Sequence, residues 1–560
     1  MKIHFRYYSA ILITLMLGCQ MRTDQDQFKA ELQSINLLRG EVALCGSEQA
    51  RLGKVEFGLS CAEKVRANFN LATALLHSFE YTEAEKVFAK VIDEEPECAM
   101  AYWGVAMSNY HPLWAPPTQP ELIKGAKAAA IAQSITQKSK RETAYVEAIA
   151  LFYKDWDKVD HHTRCINFEK AMEKTYAEYP NDKEAAIFYA LALNAAADPS
   201  DKSFINQRKA GEILTALYPN EPDHPGIVHY IIHNYDYPEL AALALPAAKK
   251  YASIAPSSAH AQHMPSHIFT RLGLWDESIS SNLTAASSAK CYAENAGIKG
   301  HWDEELHSLD YLVYAYLQKA ENKLAKEQWD YLKNIREVSP VNFKVAYAYA
   351  AIPSRYLLEN KSWKEAAGLQ MHPANFPWEK FPWQKAIIHF TRVLGYVHIN
   401  KIDSARKELD HLKTIYDTLA QQKNSYNANQ VQIQIEASEA WILFKEGKYD
   451  DALRHMNLAA DMEDKTEKHP VTPGEVIPAR ELLGDMLLQM NKPAEALEAY
   501  EANLKKHPNR FNGLYGAALA AERFNNSGKA NAYYHQLTSI ANSTNSSRPE
   551  LEAARLFLKK

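Results

Sequence analysis

The residues best suited to chemistry lie between Asp223 and His267. Six of the chain's 21 histidines fall in this stretch. His229 and His233 are four apart, as are His263 and His267, so each pair shares a face wherever the backbone is helical. Imidazoles so spaced can grip one transition-metal ion, and two such pairs can supply four nitrogens. The second pair follows the first by 34 residues, the period of a stacked helix–turn–helix repeat, which would set the pairs on neighbouring helices. Asp223, His224, Asp236, His260, His301, His307, Asp303 and Glu304 are the candidates to complete or support such a site, or to line a polar groove. Two plainer readings compete: a groove that binds some other ligand, and buried histidines that only tie helices together. Pro265 stands between His263 and His267 and tells against one unbroken helix there.

The elements that must position these groups are helical. From about residue 62 the apolar pattern follows the helical period in pairs of segments joined by short polar turns, with no alternating run long enough to build a sheet. Near the C-terminus the pattern repeats. Ala496, Tyr500 and Pro508 sit at spacings of 4 and 8, and Ala530 and Tyr534 follow 34 residues later. Ala452 and Met456 hold the same places one unit earlier, and Ala84, Phe88 and Pro96 do so near the N-terminus. This pattern resembles the tetratricopeptide repeat, in which a small residue lets two helices approach, an aromatic one turn later fills their interface, and a Pro ends the unit. The chain also resembles a family of large exported bacterial tetratricopeptide proteins, through Asp93–Gly104, His263–Leu272 and Pro473–Asp485. That resemblance implies an all-α, right-handed superhelical solenoid of helix hairpins and no assigned activity. The expected division is a signal segment at 1–18, a tether at 19–60, a degenerate array with a histidine-rich centre at 61–425, a regular array at 426–545 and a capping helix at 546–560.

The first residues read as an address. Lys2 and Arg6 precede an apolar run from Tyr7 to Leu17, too short to cross a bilayer and suited to a signal core. It closes on Met16-Leu17-Gly18-Cys19, which resembles a bacterial lipoprotein signal and implies lipid attachment at Cys19 and a periplasmic or outer-membrane location. That compartment permits disulfides, and five cysteines follow Cys19. Cys61 and Cys98, 37 residues apart before two expected helices, are the favoured pair, with Cys45–Cys61 the rival.

A net charge of −5, with no long basic cluster, argues against nucleic acid as a partner. No G-x-S-x-G, Walker, G-x-G-x-x-G or H-E-x-x-H motif occurs, which removes the easily recognised hydrolases, nucleotide enzymes and zincins and favours a non-enzymatic role. His77, Trp103 and His111 are weaker site candidates, and Arg480 and Glu481 read as interhelical ion pairs. Proline-rich loops at 112–120 and 372–383 carry Trp114, Trp378 and Trp383, which plug the array or shape a groove. The favoured function is an exported, lipid-anchored scaffold that binds a protein or peptide. The alternatives are a metal protein or metal-dependent enzyme built on residues 223–307, and a cell-surface glycan or nutrient binder that uses the tryptophans.

Overall fold

A computed structural model describes residues 34–45, 51–113, 116–541 and 546–559. Cys19, the signal segment and Trp114 lie outside the described residues. The described chain is all-α, as expected, with most helices packed on the next in sequence. The one sheet among the described residues is a two-residue parallel pairing of His301–Trp302 with Val338–Ser339. No described helix is long and apolar enough to cross a membrane.

The chain divides into two compact units. The first contains residues 34–43 and 52–230; the second contains 44–45, 51 and 231 onward. The division thus falls inside the helix Pro225–Asn234 and not near residue 426.

One turn recurs through both units. Phe79, Gly273, Ala320, Lys361, Asn400, Gly447, Asn491 and Asn525 each adopt a positive φ, between 52° and 78°, at the end of a hairpin's first helix. In each case the next residue's N–H returns to a carbonyl five residues back, at 2.8–3.0 Å, as in Leu274 to Phe269 and Lys492 to Leu487. This left-handed cap satisfies the helix's last carbonyls and reverses the chain. Five residues after every one of these caps stands a fully buried small residue: Ala84, Ser278, Ala325, Ala366, Ala405, Ala452, Ala496 and Ala530. From Gly273 onward the middle hairpins are therefore as regular in backbone as the C-terminal ones. Gly273 is held to glycine twice over. Its φ is +65°, and a Cβ there would stand 2.4 Å from the Pro508 carbonyl oxygen.

The described part of the segment expected as a tether is packed. In the first unit Ile35, Leu37, Leu52, Val55 and Phe57 are buried, and the carboxylates of Glu85 and Glu83 accept the backbone N–H groups of Leu38 and Ala43 at 2.8 Å. An extended chain needs an apolar residue only at every second place to bury one face, so the short alternating pieces pass for polar linker. Cys61 and Cys98 form the favoured disulfide. Cys45, which belongs to the second unit, pairs with Cys291 of the helix Trp275–Asn295 and not with Cys61. Cys165 remains a buried thiol, pushed up to about 11 by burial.

The Cys45–Cys291 bridge closes a loop of 246 residues in sequence. Replacing both residues by Ser lowers unfolding free energy by about 2–5 kcal/mol, read by urea titration of the non-reduced protein.

Candidate metal centre

One group of converging histidines lies in the second unit. Ser258 caps the short helix Ala259–His263 by accepting from the Ala261 N–H, and Pro265 begins a second short helix, Pro265–Arg271. The break foreseen at Pro265 is real. Met264 nevertheless keeps φ −52° and ψ −38°, so the path stays helical across it. His263 and His267 still share a face, and their Nε2 atoms lie 3.1 Å apart. The helix Asp303–Gln318 adds His307 and, one turn on, Tyr311. The ring of His307 is centred 4.2 Å from that of His263. One nitrogen from each of His263, His267 and His307 falls within a group no wider than 4.8 Å.

The hydrogen bonds fix which nitrogens carry protons. His263 Nδ1 lies 2.7 Å from Asn282 Oδ1. The Asn282 amide nitrogen donates to the Ser278 carbonyl, so its oxygen faces the ring, and an amide oxygen only accepts. His267 Nδ1 lies 3.0 Å from a carboxylate oxygen of Asp236. Both Nδ1 atoms are therefore donors. In the neutral rings both Nε2 atoms are bare lone pairs, and the structure points them at each other. The Tyr311 hydroxyl, 3.3 Å from His267 Nε2, donates to the Val471 carbonyl at 3.1 Å.

Charge around the cluster is arranged to keep the rings neutral and the carboxylate ionised. Asp236 accepts from Arg271 Nε at 2.9 Å and from Lys468 Nζ at 3.2 Å. Burial alone would push this carboxyl up, but Lys468, Arg271 and His267 hold it well below the usual carboxylate range. Burial pushes His260, His263 and His307 well below the usual imidazole range, and it outweighs Asp236 at His267, whose pKa is also lowered. Burial brings Lys468 down to about 8 against the pull of Asp236.

The repeat itself marks this place as exceptional. Nine residues after the left-handed cap the other hairpins carry Phe88, Trp329, Leu409, Met456, Tyr500 or Tyr534, with Gln370 in one. Here the position is Asn282, fully buried. Where Gly484 lies under the Tyr500 ring, the equivalent residue is Ser266, whose hydroxyl reaches Asn282 Oδ1 at 3.5 Å. An interface normally filled by a ring is filled here by an amide, a hydroxyl and two imidazoles.

The other sequence candidates separate from this cluster. His229 and His233 both lie on the helix Pro225–Asn234, but His229 belongs to the first unit, where its Nδ1 meets the His77 carbonyl oxygen at 2.6 Å. The proposed four-nitrogen set is thus not assembled within one unit, and His307 joins His263 and His267 instead. His233 lies beside them, with its ring centred 6.2 Å from His260 and 6.4 Å from His267. In the first unit Asp223 accepts through its carbonyl from the Lys54 N–H, and His224 and His77 each bond the buried Glu184 carboxylate at 3.0 Å. His301 pairs with Glu305, and Asp303 and Glu304 pair with Lys344, so none of the three joins the cluster. His111 pairs with Glu121, and Trp103 is packed among Phe57, Phe69 and Tyr145. Arg480 bridges to Asp461 and Asp464, while Glu481 meets buried Arg510, as interhelical pairs. Trp378 is buried with its indole N–H on the Pro373 carbonyl, which leaves it no face for a sugar. Sequence reading missed Asn282, Tyr311, Arg271 and Lys468. The spacing of four between His307 and Tyr311 was a usable signal; the reach of 232 residues from Asp236 to Lys468 was not.

Residues 482–543 match the tetratricopeptide repeat family. No curated protein matches the chain. Among solved structures, the human IFIT1 dimer with m7Gppp-AAAA is 10% identical over 83% of this chain and 95% of that one, with a TM-score of 0.35. The P58(IPK) TPR domain is 16% identical over 68% of this chain and 98% of that one, with a TM-score of 0.20. Likenesses this distant bear on no ligand. The repeat match and the hairpin architecture together make the chain a helical-repeat scaffold.

Two outcomes follow for stability. Asp236→Asn strands Arg271 and Lys468 in the interior and costs about 3 kcal/mol or more, read by urea unfolding. Burial lowers His398 to about 4 and His469 and His507 to about 3, below the unfolded value of about 6.5. The unfolded chain then binds more protons below that pH, so the stability they contribute is present above about 6.5 and is lost as the pH falls. Melting temperature in metal-free buffer drops between about pH 7 and pH 5, before most carboxylates titrate.

Proposed function

We propose that this chain is an exported, lipid-anchored helical-repeat scaffold whose second unit holds one transition-metal ion on His263, His267 and His307. The observation that carries the metal reading is the pair of bare Nε2 atoms 3.1 Å apart, each on a ring whose Nδ1 is committed as a donor. Two lone pairs so placed repel unless a cation lies between them. A proton would charge a ring that burial holds neutral; a metal ion binds the neutral form. Imidazole nitrogens bound at about 2.0–2.1 Å with tetrahedral angles stand about 3.3 Å apart, close to the spacing present. The Asp236–His267 bond is the carboxylate–histidine arrangement that orients a ligand and raises its basicity. His307 supplies the third nitrogen, and the Tyr311 hydroxyl stands next to the fourth position. Nitrogen donors in a buried pocket suit zinc, nickel, copper or iron better than calcium or magnesium. Every group of the cluster is buried, which favours a structural or regulatory ion over a turnover site.

Export rests on the basic start, apolar run and Cys19, and the two disulfides support an oxidising compartment. The scaffold part rests on the repeats, and the net charge of −5 favours a protein or peptide partner over nucleic acid. One surface supports a peptide. In the first unit the helices Lys140–Tyr153 and His161–Glu178 bound an open groove of about 770 Å³ lined by Ala144, Leu151, Val159 and Ala171 and by charged side chains of both signs, among them Lys140, Glu147 and Lys170. Leu151 is exposed.

The test is the metal content of residues 20–560, purified without chelator or histidine tag, beside a His263→Ala/His307→Ala variant. Wild type retains about one ion per chain, or takes up one added cobalt with a tetrahedral visible spectrum, and the folded variant does neither. Absence of ion and of cobalt uptake in folded wild type would sink the metal reading and leave the scaffold alone.

A further inference from the structure

The first unit holds another convergence of metal-binding groups, apart from the cluster already described. One ligand atom from each of His77, Glu184 and His224 falls within a group no wider than 4.8 Å. His77 ends the helix Glu63–His77, Glu184 stands in the first turn of Lys183–Ala195, and His224 directly precedes Pro225–Asn234. Each imidazole Nε2 lies 3.0 Å from its own oxygen of the Glu184 carboxylate. None of the three residues is more than 1% exposed. The His77 ring is fixed on several sides. Phe188 stacks on it with ring centres 4.7 Å apart, and the Tyr230 hydroxyl lies 3.0 Å from its Nδ1. Gly226 makes the room, since a Cβ there would stand 2.5 Å from His77 Nδ1.

This arrangement lacks positive charge. Burial alone would push the Glu184 carboxyl up, but His224 and His77 hold it far below the usual carboxylate range, so it is ionised. Its ion-pair partners among the described residues are those two imidazoles, with no lysine or arginine. Arg141, which also acts on it, is bound to Asp182 at 3.0 Å. The start of its own helix offers only a partial positive charge. A proton on His77 is opposed by burial, which pushes that ring below the usual imidazole range. A buried carboxylate held by neutral imidazoles leaves a net negative charge in the interior, which is costly without a cation.

We propose that His77, Glu184 and His224 bind a divalent first-row transition-metal ion such as zinc, reversibly and independently of the cluster in the second unit. Two imidazoles and a carboxylate are a donor set that zinc and ferrous iron take. Donors about 2.1 Å from an ion and about 90° apart stand about 3.0 Å from each other. That is the spacing at both nitrogen–oxygen pairs. The ion needs no open cavity, because it takes the place of the two ring hydrogens that lie between nitrogen and oxygen. Both Nε2 atoms donate in the empty site, since a carboxylate oxygen only accepts. On binding, each neutral ring keeps its hydrogen, moved from Nε2 to Nδ1. At His77 that hydrogen turns to the Tyr230 oxygen, which then orients the ligand. His224 Nδ1 is buried without a partner, so the hydrogen gains no acceptor there. That cost, and the hydrogen bonds that already close the empty site, make the ion exchangeable. The facing nitrogens of His263 and His267 have no such alternative, so the two sites differ in grip.

The protein for the test is residues 20–560 carrying His263→Ala/His307→Ala, which removes the other cluster, titrated with zinc chloride. Calorimetry and native mass spectrometry show one zinc bound per folded chain, removed by chelator without unfolding and restored on re-addition. Adding Glu184→Gln or His224→Gln weakens that binding by about tenfold or more. Cupric ion in the same protein shows electron paramagnetic coupling to two nitrogens, one from each histidine. The narrow bite of a single carboxylate excludes tetrahedral geometry, so a tetrahedral cobalt spectrum still reports the His263 cluster alone. Should the Glu184 and His224 variants fail to fold, the copper spectrum carries the test, and coupling to any other number of nitrogens overturns the site. No zinc bound by the folded protein, or undiminished binding by the folded Glu184 and His224 variants, overturns it equally.

Discussion

The constraint on which both units rest is the close approach of paired helices. A residue held at positive φ ends the first helix, and five places later a side chain no larger than Ser lets the second helix settle against it. These two requirements are nearly independent of what fills the remaining interface. The cap is a backbone matter that Gly, Asn, Lys, Ala or Phe can meet at modest cost, and the small residue is a matter of space. The frame can therefore repeat through the chain while the side chains between helices change in size and polarity. That freedom is what allows a polar cluster inside an array that elsewhere is packed mostly with rings and aliphatic side chains.

At Asn282 the freedom is used. A buried amide in place of a ring forfeits apolar contact, and three neighbouring imidazoles add polar atoms that must each find a partner. The cluster answers all but one of these demands. Asn282 and Asp236 orient the two rings, Arg271 and Lys468 keep Asp236 ionised, and Tyr311 is tied to the Val471 carbonyl. The pair of facing Nε2 atoms is what remains. A polar network so nearly closed, and open at one point where two lone pairs converge, departs from the surrounding packing rule in the way functional sites do.

Most of the fold was legible in the sequence, and the site only in part. Helical period and the Ala–aromatic spacing reveal the C-terminal hairpins because Ala496–Tyr500 and Ala530–Tyr534 satisfy both halves of the repeat pattern. The middle hairpins keep the cap and the small residue but replace the aromatic by Asn282, Gln370 or Leu409, and a search keyed to the aromatic loses them. His263 and His267 stood out by spacing. His229 and His233 stood out equally, and nothing local distinguishes a pair held in one compact unit from a pair divided between two. The buried partners were invisible for a different reason. Asp236 meets Lys468, Tyr314 meets Arg510, and Tyr347 meets Gly474, across 232, 196 and 127 residues. Such contacts are set by how the array turns, which no short-range pattern encodes.

Two of those long-range contacts share one recipient, the loop between Glu467 and Pro478. Lys468 goes to Asp236, the Val471 carbonyl to Tyr311, and the Gly474 carbonyl to Tyr347 and Arg355. Arg355 is itself paired with Asp310, one residue before Tyr311. Just beyond the loop, Glu481 binds Arg510, which also reaches Tyr314 and Glu359. Buried pairs of this kind contribute little net stability over apolar packing, but they are costly to mispair, so they specify which surfaces meet. The segments Pro473–Asp485 and His263–Leu272, far apart in sequence, are thereby held to the same helix, Asp303–Gln318. The loop that delivers Lys468 to Asp236 thereby sets the charge beside the histidine cluster.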